Sequence, residues 1–154
     1  MFLRLCEKDF LLAAAVLRMI RRHRRSDVKL ALLRDGIVSY VRPFSENKGR
    51  IIRVLRLGES IVPVDRRPLH RDLVVYRNQV FAHTDVEAYS PQLGRWPSKS
   101  GFVYPMSFRG LSADHFVGRA SEIVSLVEDV HHAVQLEEHR IEAEWLDGAP
   151  GTSH

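Results

Sequence analysis

Apolar side chains recur every three or four residues over much of the chain, which is the spacing of one face of an α-helix. A first helix is predicted over 7–25, where alanine and leucine dominate. A second is predicted from Asp27, a residue suited to the N-cap, to Arg42, just before Pro43. Its apolar stripe consists of Leu30, Leu33, Ile37, Tyr40, Val41 and Phe44. Gly36 interrupts this helix and weakens it unless a neighbouring helix packs closely there.

A third helix is predicted over Pro68–Ala82, and a long last helix begins at 112–114 and fades after Trp145. The stripe of the third helix is Leu69, Leu73, Tyr76 and Val80, continued by His83. The stripe of the last helix is Phe116, Ala120, Ile123, Val127, Val130 and Val134. The helical period is lost over 84–111, where prolines, glycines and a strand-like run at 101–107 predict a long loop or a small β-hairpin.

Together these elements predict an all-α fold, a bundle of four to five helices with a loop or hairpin insertion around 86–111. We expect a single domain over 1–147, because 154 residues is the usual size of one domain. The remaining residues, 148–154, are expected to be a frayed C-terminal tail.

Charge adds a second feature, since 23 basic residues face 19 acidic ones and all but four of the basic residues are arginine. Arginine binds phosphate through a two-pronged guanidinium, so this balance favours RNA or a nucleotide as partner. A high-GC genome would enrich arginine equally well, and composition leaves both explanations open.

Cellular context follows from two further observations. Cys6 is the only cysteine, so the chain has no internal disulfide and no cysteine cluster for zinc, which fits a reducing, cytoplasmic location. The apolar run 10–17 is too short to cross a bilayer, so no membrane partner is predicted.

The segment 76–83, YRNQVFAH, carries the candidate chemistry. The imidazole of His83 can move a proton near neutral pH, and the guanidinium of Arg77 can hold a phosphate. Six positions on a straight α-helix turn through about 600°, which leaves these side chains about 120° apart unless the helix ends or a second copy supplies the missing half. The alternative is structural: Arg77 pairs with a carboxylate such as Asp35, and His83 lies at the helix C-terminus, where positive charge is favourable.

The phrase Arg77-Asn78-x4-His83 resembles the signature of HEPN domains, many of which are RNases of toxin–antitoxin, abortive-infection and CRISPR systems. The wording YRNQVFAHTD is especially similar to abortive-infection-type HEPN proteins. Residues 32–45, with Asp35 and Tyr40, resemble the second helix of that group. The resemblance covers 5–85 loosely and the final helix by its helical pattern only.

This resemblance implies a metal-independent endoribonuclease without a cofactor, acting as a homodimer in toxin–antitoxin or phage-defence systems, with an antitoxin protein as a further partner. His83 would be the general base or acid, Arg77 would bind the scissile phosphate, and Asn78 would support them. Asp35 and Tyr76 are further supporting positions. The products would carry 2′,3′-cyclic phosphate ends.

The resemblance has two limits. Some HEPN toxins carry a tyrosine two residues after the histidine, which a partner modifies, but this chain has Asp85 there. Many HEPN domains are inactive, so the alternative is a non-catalytic HEPN-like module that dimerises and binds nucleotide, RNA or a protein partner.

Three other clusters have competing interpretations. An arginine stripe on the predicted first helix either contacts an RNA backbone or pairs with acids of the last helix such as Glu128 or Glu137; it consists of Arg18, Arg21, Arg22 and Arg25. Glu128 and His131 have the i, i+3 spacing of di-metal bundles, but a second such motif is missing, so no metal is predicted. Aromatic residues of the insertion either stack on bases or, the interpretation we favour from the sequence, pin the loop to its own core; they are Trp96, Phe102, Tyr104 and Phe108.

Overall fold

A computed structural model describes residues 1–46, 55–82, 91–108 and 113–147. Within these ranges the chain forms five α-helices and four short strands. The helices are α1 (Phe2–Met19), α2 (Ser26–Val41), α3 (Arg67–Tyr76), α4 (Ala113–Gly118) and α5 (Ala120–Asp147). The predicted all-α bundle with a small β-hairpin insertion is confirmed. The predicted frayed tail, 148–154, lies outside the described residues.

Helix α1 lies at the centre of the bundle and makes its most extensive contacts with α2 and α5. Helix α5 runs antiparallel to it, because Arg4 near the start of α1 pairs with Glu138 while Arg18 near its end pairs with Glu128. Every residue of the predicted stripe of the last helix is buried, and so is Leu126. This stripe is confirmed because a helix that packs on one side buries positions three and four residues apart.

At Gly36, helix α2 packs closely against α1. A β-carbon added to Gly36 would lie 2.5 Å from Cγ of Leu17, a distance that side chains do not tolerate. Leu17 is fully buried and has little room to move. The condition that the sequence set for a glycine inside this helix is therefore met by close packing against α1.

Three predicted helix boundaries differ from the structure. Helix α1 begins at Phe2 and is followed by a 3₁₀ turn that ends at Arg22, so the helix predicted over 7–25 ends earlier. The predicted last helix is two helices, α4 and α5, separated at Arg119. The predicted third helix is α-helical only to Tyr76 and continues as a π-helical turn over Arg77–Ala82.

The core stripes of α2 and α3 are largely as predicted. Leu33, Ile37, Tyr40 and Val41 are buried, but Leu30 is exposed on the outer side of α2, so its assignment to the core was wrong. Leu69, Leu73 and Tyr76 are buried in α3, whereas the side chain of Val80 lies outside the described residues. Helix α3 is also tied to α5 at its start, where Arg66 donates to Asp129 at 3.0 Å.

A buried polar pair joins α2 to α3 inside this apolar core. The hydroxyl of Tyr40 and Nδ1 of His70 share a hydrogen bond of 2.9 Å, and the ring of Phe44 packs 4.5 Å from the imidazole. Burial lowers the pKa of His70 from its ordinary value of 6.5. Two smaller effects oppose each other, since the charge of Glu59 raises this pKa and the charge of Arg71 lowers it. The imidazole is therefore held in its neutral form in the folded protein.

Acidification is expected to destabilise the fold through His70. Because the pKa of His70 is lower in the folded state, the unfolded chain takes up the proton first as pH falls below about 6.5, and the free energy of unfolding decreases. The contribution is complete above that pH and is lost as pH falls towards the folded-state pKa. Urea unfolding at about pH 7.5 and pH 5.5 measures this loss.

The matched variant is Tyr40→Phe/His70→Phe, which removes both hydrogen-bonding partners together and leaves neither of them unpaired. Its stability should fall less between the two pH values than that of the wild type. The comparison is the difference between the two proteins, so that contributions common to both cancel. An equal fall in both would show that His70 does not contribute.

The described part of the insertion forms one interrupted hairpin, which we call the arm (91–108). Its strands are β1 (Pro91–Leu93), β2 (Trp96–Ser98), β3 (Gly101–Val103) and β4 (Met106–Phe108). Strand β1 pairs with β4, and β2 pairs with β3, both antiparallel. The backbone N–H of Gly94 donates to the carbonyl of Pro105 at 2.9 Å and bridges the two pairs.

Candidate functional site

Arg77 and Asn78 begin the π-helical turn that follows α3. A π-turn widens the helix, and such turns are frequent at functional sites because they redirect side chains. The angle of about 120° between Arg77 and His83 was calculated for a straight α-helix, and the chain is not α-helical beyond Tyr76.

The guanidinium of Arg77 is held by its neighbour. It donates from Nη1 to Oδ1 of Asn78 at 3.0 Å, and Arg77 is half-buried while Asn78 is exposed. Among the residues that the structure describes, no carboxylate pairs with Arg77. In particular the Arg77–Asp35 ion pair, the structural alternative, is not formed, and Asp35 is exposed on α2. Within the described residues, therefore, no carboxylate competes with an anionic ligand for this guanidinium.

Tyr76, predicted as a supporting position, lies in the core. Its side chain is buried, and its ring packs 4.5 Å from that of Phe116 in α4. With Leu73 it fixes the last turn of α3 in the core. Tyr76 therefore positions the turn that carries Arg77, and contact with a ligand at the surface is not available to it.

His83 lies outside the described residues, as does Asp85. The proximity of its imidazole to Arg77 remains a prediction from the sequence. The structure describes the other half of the motif: Arg77, hydrogen-bonded to the amide of Asn78, at the start of the π-turn.

The arginine stripe does not lie on one helix: Arg18 is in α1, Arg21 and Arg22 are in the 3₁₀ turn, and Arg25 precedes α2. Arg25 does not belong to α1, because the chain becomes extended at His23, and its guanidinium instead binds Asp27 at the start of α2, with Nε 3.1 Å from Oδ1. The prediction that Arg25 shares one helix face with Arg18 is wrong. The sequence missed this boundary because arginine is a good helix former and gives no local stop signal.

Two of the remaining arginines, Arg18 and Arg21, lie beside α5. Arg18 pairs with Glu128, as the structural interpretation proposed, whereas Glu137 pairs with Arg140 on its own helix. Arg21 and Arg22 are exposed, and in the described part of the chain neither has an acidic partner. A shallow cavity of about 330 Å³ opens here, lined by Arg18, Arg21 and Ser121 together with Leu17, Ala120 and Val124.

The glutamate and histidine side chains of α5 that could bind a metal do not cluster with one another in the described residues. Glu128 is bound to Arg18, and Nε2 of His131 is 3.8 Å from a carboxylate oxygen of Glu7, which exceeds hydrogen-bonding distance. Across the described ranges, no three His, Cys, Asp or Glu side chains form a group that could hold a metal ion.

The aromatic side chains of the arm are exposed, contrary to the interpretation favoured from the sequence. Trp96 is 65% exposed, Phe102 53% and Tyr104 57%, so none of them pins the arm to a core; the side chain of Phe108 lies outside the described residues. Sequence reasoning also missed that the guanidinium carbon of Arg95 lies 3.7 Å above the centre of the Phe102 ring. The sequence signal for this exposed, basic and aromatic surface was the absence of acidic residues around these aromatic residues.

Comparison with protein-family models, curated proteins and solved structures finds no match to this chain. Of the helices that the structure describes, none combines the length and apolar character needed to cross a bilayer. A functional assignment must therefore come from the residues and their geometry.

Proposed function

We propose that this protein is a metal-independent endoribonuclease of the HEPN type, active in a toxin–antitoxin or phage-defence setting. The observation that carries this proposal is the arrangement of Arg77. Its guanidinium is oriented by Asn78 at 3.0 Å, stands on a π-turn anchored in the core, and precedes His83 by six residues. A fixed arginine with an open side is suited to bind a phosphate, and a histidine close in sequence can supply the proton transfer.

The reaction that fits these groups is transfer of the RNA phosphodiester to its own 2′-oxygen. His83 as base removes the proton from the ribose 2′-hydroxyl, and the 2′-oxygen attacks phosphorus. The bond to the 5′-oxygen breaks, and that oxygen takes a proton from an acid. The products are a 2′,3′-cyclic phosphate and a 5′-hydroxyl. Arg77 neutralises the charge that grows on the phosphate oxygens during attack.

A homodimer supplies both the base and the acid. Each chain has one motif, so a second copy would bring a second His83 to the same phosphate. Exposed apolar side chains on the outer side of α1 support this part of the proposal. Leu5, Leu12 and Met19 are seven residues apart, the spacing of one stripe along a helix, and all three are exposed.

The test is cleavage of a labelled mixed-sequence RNA by the purified protein in EDTA. We expect cutting that EDTA does not inhibit, with products that carry 2′,3′-cyclic phosphate ends. An RNA with a single 2′-deoxy position should resist cutting at that position, because the nucleophile is missing. The His83→Ala variant serves as the control for a contaminating RNase. Equal cutting by wild type and variant, or no cutting, would contradict the catalytic proposal and favour the non-catalytic RNA- or nucleotide-binding module.

A further inference from the structure

The arm offers flat, exposed side chains on both of its faces. Successive residues of a strand point to opposite faces, so Trp96, paired with Val103, lies on one face, and Phe102, paired with Pro97, lies on the other. All of these described side chains are exposed. A two-stranded hairpin with neither face covered is only marginally stable in water. Exposed aromatic rings on such an element indicate a surface that contacts something else.

The charge of this region is of one sign. Between Glu87 and Asp114 the chain has no acidic residue, but it has Arg95, Lys99 and Arg109. Elsewhere acidic residues are frequent, with 19 in a chain of 154. Lys99 lies in the turn between β2 and β3, and both Arg95 and Lys99 are exposed. A basic surface with interleaved aromatic rings is complementary to a single-stranded polyanion that carries flat bases.

Each side chain that would contact a base lies against a neighbouring group of the arm. A β-carbon on Gly94 would lie 3.1 Å from Nε1 of Trp96, so the edge of the indole rests closely over the backbone there. On the other face, the guanidinium of Arg95 lies on the ring of Phe102. A guanidinium plane stacked on one side can accept a base on its other side. Groups ordered before binding lose less conformational entropy when a ligand arrives.

We propose that the arm binds single-stranded RNA, with one base stacked on Trp96 and another on the Arg95–Phe102 pair, and with Lys99 at a phosphate. This inference rests on the RNA substrate of the proposed function and specifies how an unpaired strand is held near the motif. Only eight residues, 83–90, separate the π-turn from β1, so the two lie within about 32 Å of each other along the chain. A second copy of the arm is the less suitable occupant, because two basic surfaces repel each other.

The experiment measures binding of a labelled twelve-residue oligouridylate in the His83→Ala background, where the strand is not cut. Trp96→Leu and Arg95→Gln are each expected to lower the affinity about tenfold. Trp145→Leu is the matched control, since Trp145 is also exposed but lies at the end of α5, and this variant should bind like the parent. Trp96→Leu should leave the salt dependence unchanged, whereas Arg95→Gln/Lys99→Gln should reduce it, because salt dependence reports phosphate contacts.

A second readout tests stacking directly. In a Trp145→Phe variant the only tryptophan is Trp96, and its fluorescence should be quenched by the oligouridylate but not by heparin, a polyanion without bases. Absence of quenching, equal affinity of Trp96→Leu and Trp145→Leu, or no oligouridylate binding would each overturn the proposal. Loss of a dimer in Trp96→Leu by sedimentation would overturn it in favour of a second copy.

The arm and the proposed function fail in different ways. If Trp96-dependent binding is found without cleavage in EDTA, the arm proposal holds and the ribonuclease proposal does not. If cleavage in EDTA is found but the arm variants bind and cut like the control, the arm proposal alone is wrong.

Discussion

Arg77→Ala and His83→Ala are each expected to lower the rate of RNA cleavage by about a hundredfold or more, the usual size for loss of a charge-stabilising donor or of a general acid–base. The guanidinium of Arg77 donates to Asn78 and has no carboxylate partner in the described part of the chain. Its removal should therefore lower the rate through lost charge stabilisation in the transition state, with little cost to folding. Single-turnover cleavage of a labelled RNA, with thermal unfolding of each variant beside it, measures the two effects separately.

Two further substitutions refine this prediction. Arg77→Lys keeps the charge but loses the planar fork, so it should recover only part of the rate. Asn78→Ala should have a smaller effect than Arg77→Ala, because Asn78 orients the guanidinium and does not carry the charge. In both, the melting temperature should stay within a few degrees of the wild type.

Matched controls are available on neighbouring surfaces. Arg71→Ala removes an exposed arginine of α3 that is bound to Glu59, and His132→Ala removes an exposed histidine of α5. Both should cut RNA at close to the wild-type rate. If they lose as much activity as Arg77→Ala and His83→Ala, cleavage depends on general surface charge and not on the motif, and the site assignment is wrong.

Gly36→Ala is expected to destabilise the fold by about 1–3 kcal/mol, although alanine is the better helix former by about 1 kcal/mol. The reason is the overlap of the new methyl group with the buried Leu17 side chain, at 2.5 Å from its Cγ. The helices α1 and α2 cannot move apart without opening the core. Urea unfolding monitored by circular dichroism gives the change in the free energy of unfolding.

The effect of Gly36→Ala on the free energy of unfolding should change sign when Leu17 is shortened. Leu17→Ala alone costs about 2–5 kcal/mol, but it leaves a space that the methyl group of Gly36→Ala can enter. In that background Gly36→Ala should be neutral or stabilising, and the double-mutant cycle isolates the contact. Gly118→Ala is the control, because a β-carbon there meets no atom within 4 Å and should not destabilise. A destabilisation that persists in the Leu17→Ala background would refute the steric explanation.

The arm and the basic surface near α1 extend the motif in different ways. Arg21 and Arg22 offer charge without aromatic rings, whereas the arm offers both. If both contact the same strand, charge at α1 contributes salt-dependent affinity and the arm contributes stacking.

The sequence by itself determined the buried face of the last helix and most of the buried positions of α2 and α3. The stripe from Phe116 to Val134 is fully buried, as its spacing predicts, because a residue's position around a helix depends only on its place in the local repeat. The sequence also stated the condition for Gly36 correctly. The Arg77-Asn78-x4-His83 phrase, a property of the chain, pointed to the candidate site before any geometry was known.

Tertiary structure decided the features that depend on residues distant in the chain. The partner of Arg18 is Glu128, the α1 helix ends before Arg25, and the helix end carrying Arg77 is a π-turn that follows Tyr76, whose ring packs on Phe116. The exposure of Trp96 and Phe102 was likewise undetermined, because an aromatic residue in a loop is buried only if another element covers it. Local periodicity specifies orientation around one helix axis, whereas partners and exposure follow from how the elements pack together.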